Sequence, residues 1–234
     1  MKLHLLEKHI HEYLLTARSW TQVPWYYAHA IVGHFHVHWS LHESRPLDDM
    51  YDQSLQSDIS QRWWKREQYR PKEIMLQLIQ TDEELARIAF KDLSNDTATL
   101  DGRISRFGFY CEELLQMLRR HNPKAIDTYH HQDAAMVSLY ISGMFPGKYT
   151  LYPGLNVFTA FCKAIESPDI PKVDDLVRYQ KVAATTFKFL EKNPEFQNLL
   201  DQRASSSYKV DVIPFQIAYE FISFAGGNRN LEIP

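Results

Sequence analysis

At 234 residues, with 44% hydrophobic and 24% charged side chains, the chain can bury a core as one large domain or two small ones. Eight glycines and eleven prolines exclude collagen-like or long flexible tracts. A formal charge of −3 excludes a generally basic nucleic-acid binder, so any phosphate contact has to come from a local patch.

Residues 2–18 form the first predicted helix, with Leu6, Ile10, Tyr13 and Leu14 at helical spacing. Pro24 restarts the chain, and residues 25–40 follow as an aromatic, histidine-rich segment. Arg45-Pro46 and the acidic, polar run to Ser57 predict a loop, because the residue before a proline is pushed away from helical geometry. Residues 59–69 give a short helix. Pro71 opens the next as a first-turn proline, with Ile74, Leu78 and Ile79 as its apolar face. Thr81-Asp82-Glu83-Glu84 matches a capping box for a helix whose stripe includes Leu85, Ile88 and Ala89. The clearest helix carries Leu100, Ile104, Phe107, Cys111, Leu114, Leu115 and Leu118 and ends near His121-Asn122-Pro123. Further helices are predicted over 132–144, stopped by Pro146-Gly147, and over 155–165, followed by a proline-bounded loop over 167–172. Asp174 is the expected cap of a helix with the stripe Leu176, Tyr179, Ala183, Phe187 and Leu190. Pro194 starts a short helix, residues 205–207 break it, and Val212, Phe215, Tyr219 and Ile222 line the last one.

Apolar–polar alternation of the kind that marks half-buried strands is nearly absent. The predicted fold class is therefore all-α, a multi-helix globular domain with proline-bounded loops over residues 1–225 and a possible subdivision near 45–57. Residues 226–234 read as an exit linker. Cys111 and Cys162 are the only cysteines and form no C-x-x-C pair, which argues against a disulfide framework and for a reducing compartment. Leu5 and Leu6 are followed by Glu7, Lys8 and His9, so no signal peptide opens the chain, and no stretch approaches the ~18 apolar residues of a membrane span. The expectation is a soluble cytoplasmic protein with no membrane partner.

Histidines at 34, 36, 38 and 42 share faces in two ways: His34, His36 and His38 on a strand, or His34, His38 and His42 on a helix. Either set could ligate Zn²⁺, yet no carboxylate or cysteine completes a recognised spacing. The expectation is a helix whose histidines pack among Trp25, Tyr26, Phe35 and Trp39, with no metal and no cofactor. Tyr129-His130-His131-Gln132-Asp133 resembles the His-Asp pair of helical phosphohydrolases only faintly, and a polar helix start explains it equally well. No phosphate-binding loop, G-x-G-x-x-G or G-x-S-x-G turn is present, so no catalytic residue is assigned.

The best surface candidate is the basic–aromatic run from Arg62 to Lys72. Arg62, Lys65, Arg66, Arg70 and Lys72 could hold phosphates while Trp63 and Trp64 stack on exposed bases. Arg103, Arg106, Lys148 and Tyr149 are lesser candidates for the same nucleic-acid contacts. For every one of these the competing reading is a core aromatic or a solvated helix face.

Three blocks are distinctive: Phe90 to Leu93 (F-K-D-L), Asp101 to Leu115 (D-G-R-I-S-R-F-G-F-Y-C-E-E-L-L), and Ser138-Leu139-Tyr140 followed by Pro146 to Tyr152 (P-G-K-Y-T-L-Y). Over about residues 39–224 the pattern resembles the helical amino-terminal region of McrB-like AAA+ proteins, from modification-dependent restriction systems. The resemblance implies an antiviral recognition module that binds DNA or a phage-derived ligand and signals to an AAA+ motor in the same polypeptide or assembly. The motor's phosphate-binding loop is missing from this chain, so nucleotide hydrolysis does not carry over. The β-rich domain with which some relatives capture a modified base is missing too. Two alternatives stand beside this expectation. One is a protein-interaction domain without nucleic-acid affinity, using aromatics such as Trp25, Tyr26 and Trp39. The other is a metal-dependent hydrolase using His34, His38 and His42, or His130 and His131.

Overall fold

Two short segments are apolar on all sides, A-A-M-V-S-L-Y-I-S-G-M from Ala134 and I-A-Y-E-F-I-S-F-A from Ile217. A helix with no polar face has to be surrounded by protein, and these two are the axes about which the fold is built. The computed structural model describes residues 2–20, 24–41, 44–64, 70–123, 133–208 and 210–231, apart from the side chain of Arg62. Among them the chain is all-α, with no strand. It runs α1 (Leu3–Ala17), α2 (Tyr26–His38), α3 (Leu47–Ser54), α4 (Asp58–Trp64), α5 (Pro71–Thr81) and α6 (Glu83–Ser94). Then follow α7 (Leu100–His121), α8 (Ala134–Met144), α9 (Leu155–Ala164), α10 (Leu176–Glu191), α11 (Pro194–Ala204), a 3₁₀ turn over Pro214–Gln216 and α12 (Ile217–Ala225). Residues 135–143 of α8 and 217–224 of α12 are buried without a break. α8 packs on α2, α4 and α6, with α6 lying along α7, while α12 packs on α1, α9 and α10. One continuous core runs from Leu6 to Phe224. Each large apolar side chain fully enclosed in it contributes roughly 1.5–3 kcal/mol.

The middle of α12 carries a carboxylate, Glu220, that is completely enclosed. It accepts hydrogen bonds from Tyr13 of α1 at 3.1 Å, His29 of α2 at 2.8 Å and Arg203 of α11 at 2.6 Å. The Ile213 N–H donates to His29 Nδ1 at 2.9 Å, so Nδ1 carries no proton and Nε2 is the donor to Glu220. The cluster thus holds one carboxylate, one guanidinium, a neutral imidazole and a phenol, and is neutral as a whole. The Arg203 guanidinium also lies 4.6 Å from the Trp25 ring centre. Burial pushes the Glu220 carboxyl up, but Arg203 and His29 outweigh it and hold the group below its ordinary value near 4.5.

Between α8 and α9 the backbone of residues 149–152 is irregular and buried, with no strand beside it among the described residues. Buried amides and carbonyls need partners, and here two glutamines supply most of them. Gln180 of α10 accepts from Thr150 N at 3.1 Å and donates to Thr150 O at 2.6 Å. Gln216 accepts from Leu151 N at 3.3 Å and donates to Tyr149 O at 3.0 Å. The Tyr179 hydroxyl donates to Leu151 O at 2.6 Å, and Ser138 Oγ accepts from Tyr152 N at 2.9 Å. Side chains therefore do the work of a neighbouring strand.

Most helices lie where periodicity places them, and the departures have local causes. The segment predicted as a loop after Pro46 is α3. Its polar residues Asp48, Asp49 and Gln53 are not in the core, while Leu47, Met50, Tyr51 and Ser54 at helical spacing are buried. Asp48 and Asp49 in its first turn favour the helix through its dipole. The cap of α6 is Asp82, which accepts from Leu85 N, whereas Thr81 turns back to donate to Gln77 O. The cap of α10 is Asp175, and Asp174 instead accepts from the Tyr152 hydroxyl at 2.8 Å. Val212 precedes the last helix and does not belong to it. Within the stretch read as an exit linker, Leu231 is buried and Arg229 pairs with Glu12 of α1 at 3.0 Å.

Two outcomes follow for stability. Replacing Gln180 by Leu strips both partners from Thr150 and should cost at least about 2 kcal/mol, read as a lower urea midpoint. Glu220→Ala leaves Arg203 buried without its counter-charge and should cost about 3–5 kcal/mol. Because the folded Glu220 carboxyl sits below its unfolded value, its stabilisation is complete above about 4.5 and is lost as pH falls through the folded value. Glu220→Gln should therefore show a smaller loss of stability on acidification than the parent, in urea titrations at neutral pH and near pH 4.

Candidate functional site

The cations singled out by sequence are mostly engaged within the protein. Lys65 and Arg66 lie outside the described residues, as does the side chain of Arg62. Trp63 is 1% exposed and donates from Nε1 to the Ala135 carbonyl at 3.0 Å, so its ring is a core anchor and offers no face for stacking on a base. Trp64 is half-buried, donates to Leu55 O, and lies 5.0 Å below the Lys72 ammonium. Lys72 is itself buried and pairs with Asp52 at 2.8 Å, while exposed Arg70 pairs with Glu73 at 3.0 Å.

The second group closes on itself in the same way. Arg103 is 0% exposed, which takes it away from any ligand in solvent. Its Nε donates to Leu93 O at 2.7 Å and its Nη1 to the hydroxyl of the buried Tyr149 at 2.9 Å, with Phe145 beneath the guanidinium at 5.1 Å. Arg106 pairs with Asp92 at 2.9 Å. Exposed Lys148 pairs with Asp96, and that hydrogen bond holds the Asp96 carboxyl below its ordinary value and the Lys148 ammonium above it. Every described cation of the predicted set thus has a carboxylate beside it.

The histidines of α2 are also spent on the backbone. His34 bonds Gln53 O at 3.0 Å and His38 bonds His34 O at 2.8 Å, the two rings lying 4.3 Å apart. Burial, with His38 alongside, keeps the His34 imidazole below its usual value. Among the described residues no group of three metal-binding side chains converges. His42, His130 and His131 lie outside the described residues. Burial pushes the Cys111 thiol well up, which leaves it a small core hydrophobe.

A different surface does gather unspent groups. Where α2 and α8 end, they approach at Gly143: a Cβ there would lie 2.1 Å from the Phe35 ring, so only glycine lets the two helices pack. His36 Nδ1 donates to Gly143 O at 2.8 Å, leaving Nε2 without a partner among the described residues. The Trp39 ring stacks on Phe35 at 5.0 Å and meets the edge of Phe90 at 4.8 Å. Beside these lies a cavity of about 550 Å³, lined by Trp39, Leu41, Met144 and Phe145 together with His36, Ser40 and Ser94. It shares Leu41 and Lys91 with a second cavity of about 530 Å³, lined by Arg45, Arg87 and Glu83. The two make one groove.

Glu83, Arg87 and Lys91 recur every fourth residue and so form one stripe of α6. Arg87 Nη2 holds Glu83 at 2.6 Å and Arg45 O at 2.9 Å, and Glu83 in turn accepts from Leu47 N at 3.1 Å, which joins the start of α3 to α6. The Arg87 hydrogen bond keeps the Glu83 carboxyl ionised below its ordinary range. Lys91 is exposed and has no carboxylate within reach among the described residues. The sequence did not single out this set, although the four-residue spacing of Glu83, Arg87 and Lys91 was visible in it. Nothing local could have brought Trp39 and Phe145 to the same wall.

Gly143→Ala should cost about 1–3 kcal/mol or more through the clash with Phe35, seen as a lower melting temperature. Adding Phe35→Leu should recover part of that loss, because it removes the ring that the new methyl meets.

The chain matches no protein-family model, and neither the curated proteins nor the solved structures include a similar one.

Proposed function

We propose that this chain is a non-catalytic recognition module of a prokaryotic anti-phage restriction system, which binds nucleic acid through the α2–α6–α8 groove and passes its occupied state to an AAA+ motor. The observation that carries the reading is the groove itself. It sets aromatic side chains next to Lys91, which has no carboxylate within reach among the described residues, while Arg45 and Arg87 line it already paired with Asp49 and Glu83. The described cations picked out by sequence are neutralised within the protein. On a chain of net charge −3, a local basic groove is the kind of surface that phosphate contacts require. The link to a motor and to phage defence rests on the resemblance of the Phe90–Leu93, Asp101–Leu115 and Ser138–Tyr152 blocks to McrB-like proteins. No helix among the described residues is long and apolar enough to cross a membrane. Placement in the cytoplasm is part of the proposal.

Fluorescence anisotropy with single-stranded, duplex and cytosine-modified duplex DNA, repeated across salt, tests the reading. Saturable binding that weakens with salt is expected, and preference for one DNA would name the ligand class. Lys91→Ala should weaken binding and lower the slope of log K against log salt by about 0.7 on single strands. Absence of binding at low salt would sink the nucleic-acid reading in favour of a protein-interaction domain.

A further inference from the structure

The two lobes of the groove differ in character, and the difference is informative about what fits. The first lobe is mainly aromatic and aliphatic, with Trp39 and Phe145 in its lining. The second is charged, with Arg87 paired to Glu83, Arg45 paired to Asp49, and Lys91 left as its net positive charge. Lys91 belongs to both, so an ammonium stands at the junction. A ligand matched to this gradient is aromatic and flat at one end and anionic at the other. Resting on the nucleic-acid reading above, we infer that the groove takes one unpaired nucleotide, its base against Trp39 and Phe145 and its phosphate against Lys91 and Arg87.

Size and hydrogen bonding support the same occupant. A lobe of about 550 Å³ lies within the size range of small-ligand pockets and has ample room for a base with its sugar. A base pair within a stacked duplex offers its faces to its neighbours, so a duplex can present a base here only by unpairing it. Trp39 is held rigidly by Phe35 and Phe90, so stacking on it costs little ordering. His36, Ser40 and Ser94 also line the lobe, and His36 Nε2 and the Ser40 hydroxyl are polar groups that the edge of a base could meet. In the second lobe Arg87 uses only Nη2 for Glu83 and Arg45 O, which leaves its Nε and Nη1 without a partner among the described residues. Two free donors on one planar guanidinium suit a phosphate. Glu83 is occupied by Arg87 and Leu47 N, so Arg87 offers the anion hydrogen-bond donors while Lys91 supplies the unbalanced charge.

The test is displacement of a fluorescein-labelled oligothymidylate by thymidine monophosphate, thymidine, inorganic phosphate and a blunt duplex. Thymidine monophosphate is expected to displace the probe, with thymidine and phosphate each at least about tenfold weaker, since each keeps only one of the two contacts. The duplex should also compete about tenfold or more weakly. Trp39→Ala should reduce probe binding by about tenfold. Because Trp39 also packs on Phe35 and Phe90, Lys91→Glu is the companion variant: its side chain has no ion-pair partner, so melting should stay unchanged while both probe and monophosphate binding fall. Displacement by phosphate as well as by the monophosphate would reduce the site to an anion site and overturn the inference. Equal displacement by thymidine would reduce it to an apolar slot, and equal competition by the duplex would place the contact on the outer surface. Unchanged binding by Lys91→Glu would remove the groove from the interaction. In all these cases the probe still binds and nucleic-acid recognition survives; a probe that does not bind at low salt overturns both.

Discussion

The enclosed carboxylate of Glu220 is the constraint around which the helices are arranged. An ionised carboxyl in a protein interior is tolerated only when counter-charge and hydrogen bonds surround it. Here they arrive from α1, α2 and α11, drawn from both ends of the chain. Apolar packing alone would allow α12 to slide or rotate by a residue, whereas the carboxyl is satisfied in one register only. Through Ile213 N–H and His29 the same cluster also fixes the approach to α12. The arrangement stabilises less than an apolar core of equal volume could, and its effect is to select one packing.

The blocks Phe90–Leu93, Asp101–Leu115 and Ser138–Tyr152 contribute mainly to the scaffold. Phe90 and Leu93 are enclosed, Asp92 holds Arg106, and Arg103 reaches from α7 to Leu93 O and Tyr149. Tyr140 meets Tyr51 hydroxyl to hydroxyl at 2.7 Å, and Tyr152 meets Asp174. One network thus ties α6, α7, α8 and the irregular stretch after α8. The groove lies beside this network and borrows from it. Phe145 supports Arg103 with its ring and also forms part of the groove wall. Lys91, between Phe90 and Asp92, is the member of that block turned to solvent.

Helices were legible in the sequence because their signals are local: stripes at helical spacing, proline at first turns, acidic caps. The segment after Pro46 escaped because its polar half dominated its composition, although Leu47, Met50, Tyr51 and Ser54 held the helical period. Charges were less legible, for a physical reason. Whether a cation is available depends on its partner, and the partners of Lys72, Arg103 and Lys148 lie in other elements. The run from Arg62 to Lys72 shows the same limit, since its Trp63 is a core side chain and its Lys72 is sequestered. The groove depends on tertiary contact even more, since Phe35 against Gly143 is what aligns Trp39 with Phe145.

The glutamine-lined stretch at 149–152 has a consequence for how the chain comes into being. Its amides and carbonyls are made by the ribosome well before Gln180, and Gln216 is added later still, close to the final helix. Until both glutamines have emerged, the stretch has no way to leave water, and α8 has no finished wall to pack against. The nascent chain therefore holds α8 in an unfinished setting until Gln216 has been added, a condition in which exposed core segments attract chaperones or one another. Closure of this part of the core waits on the residues that lead into α12.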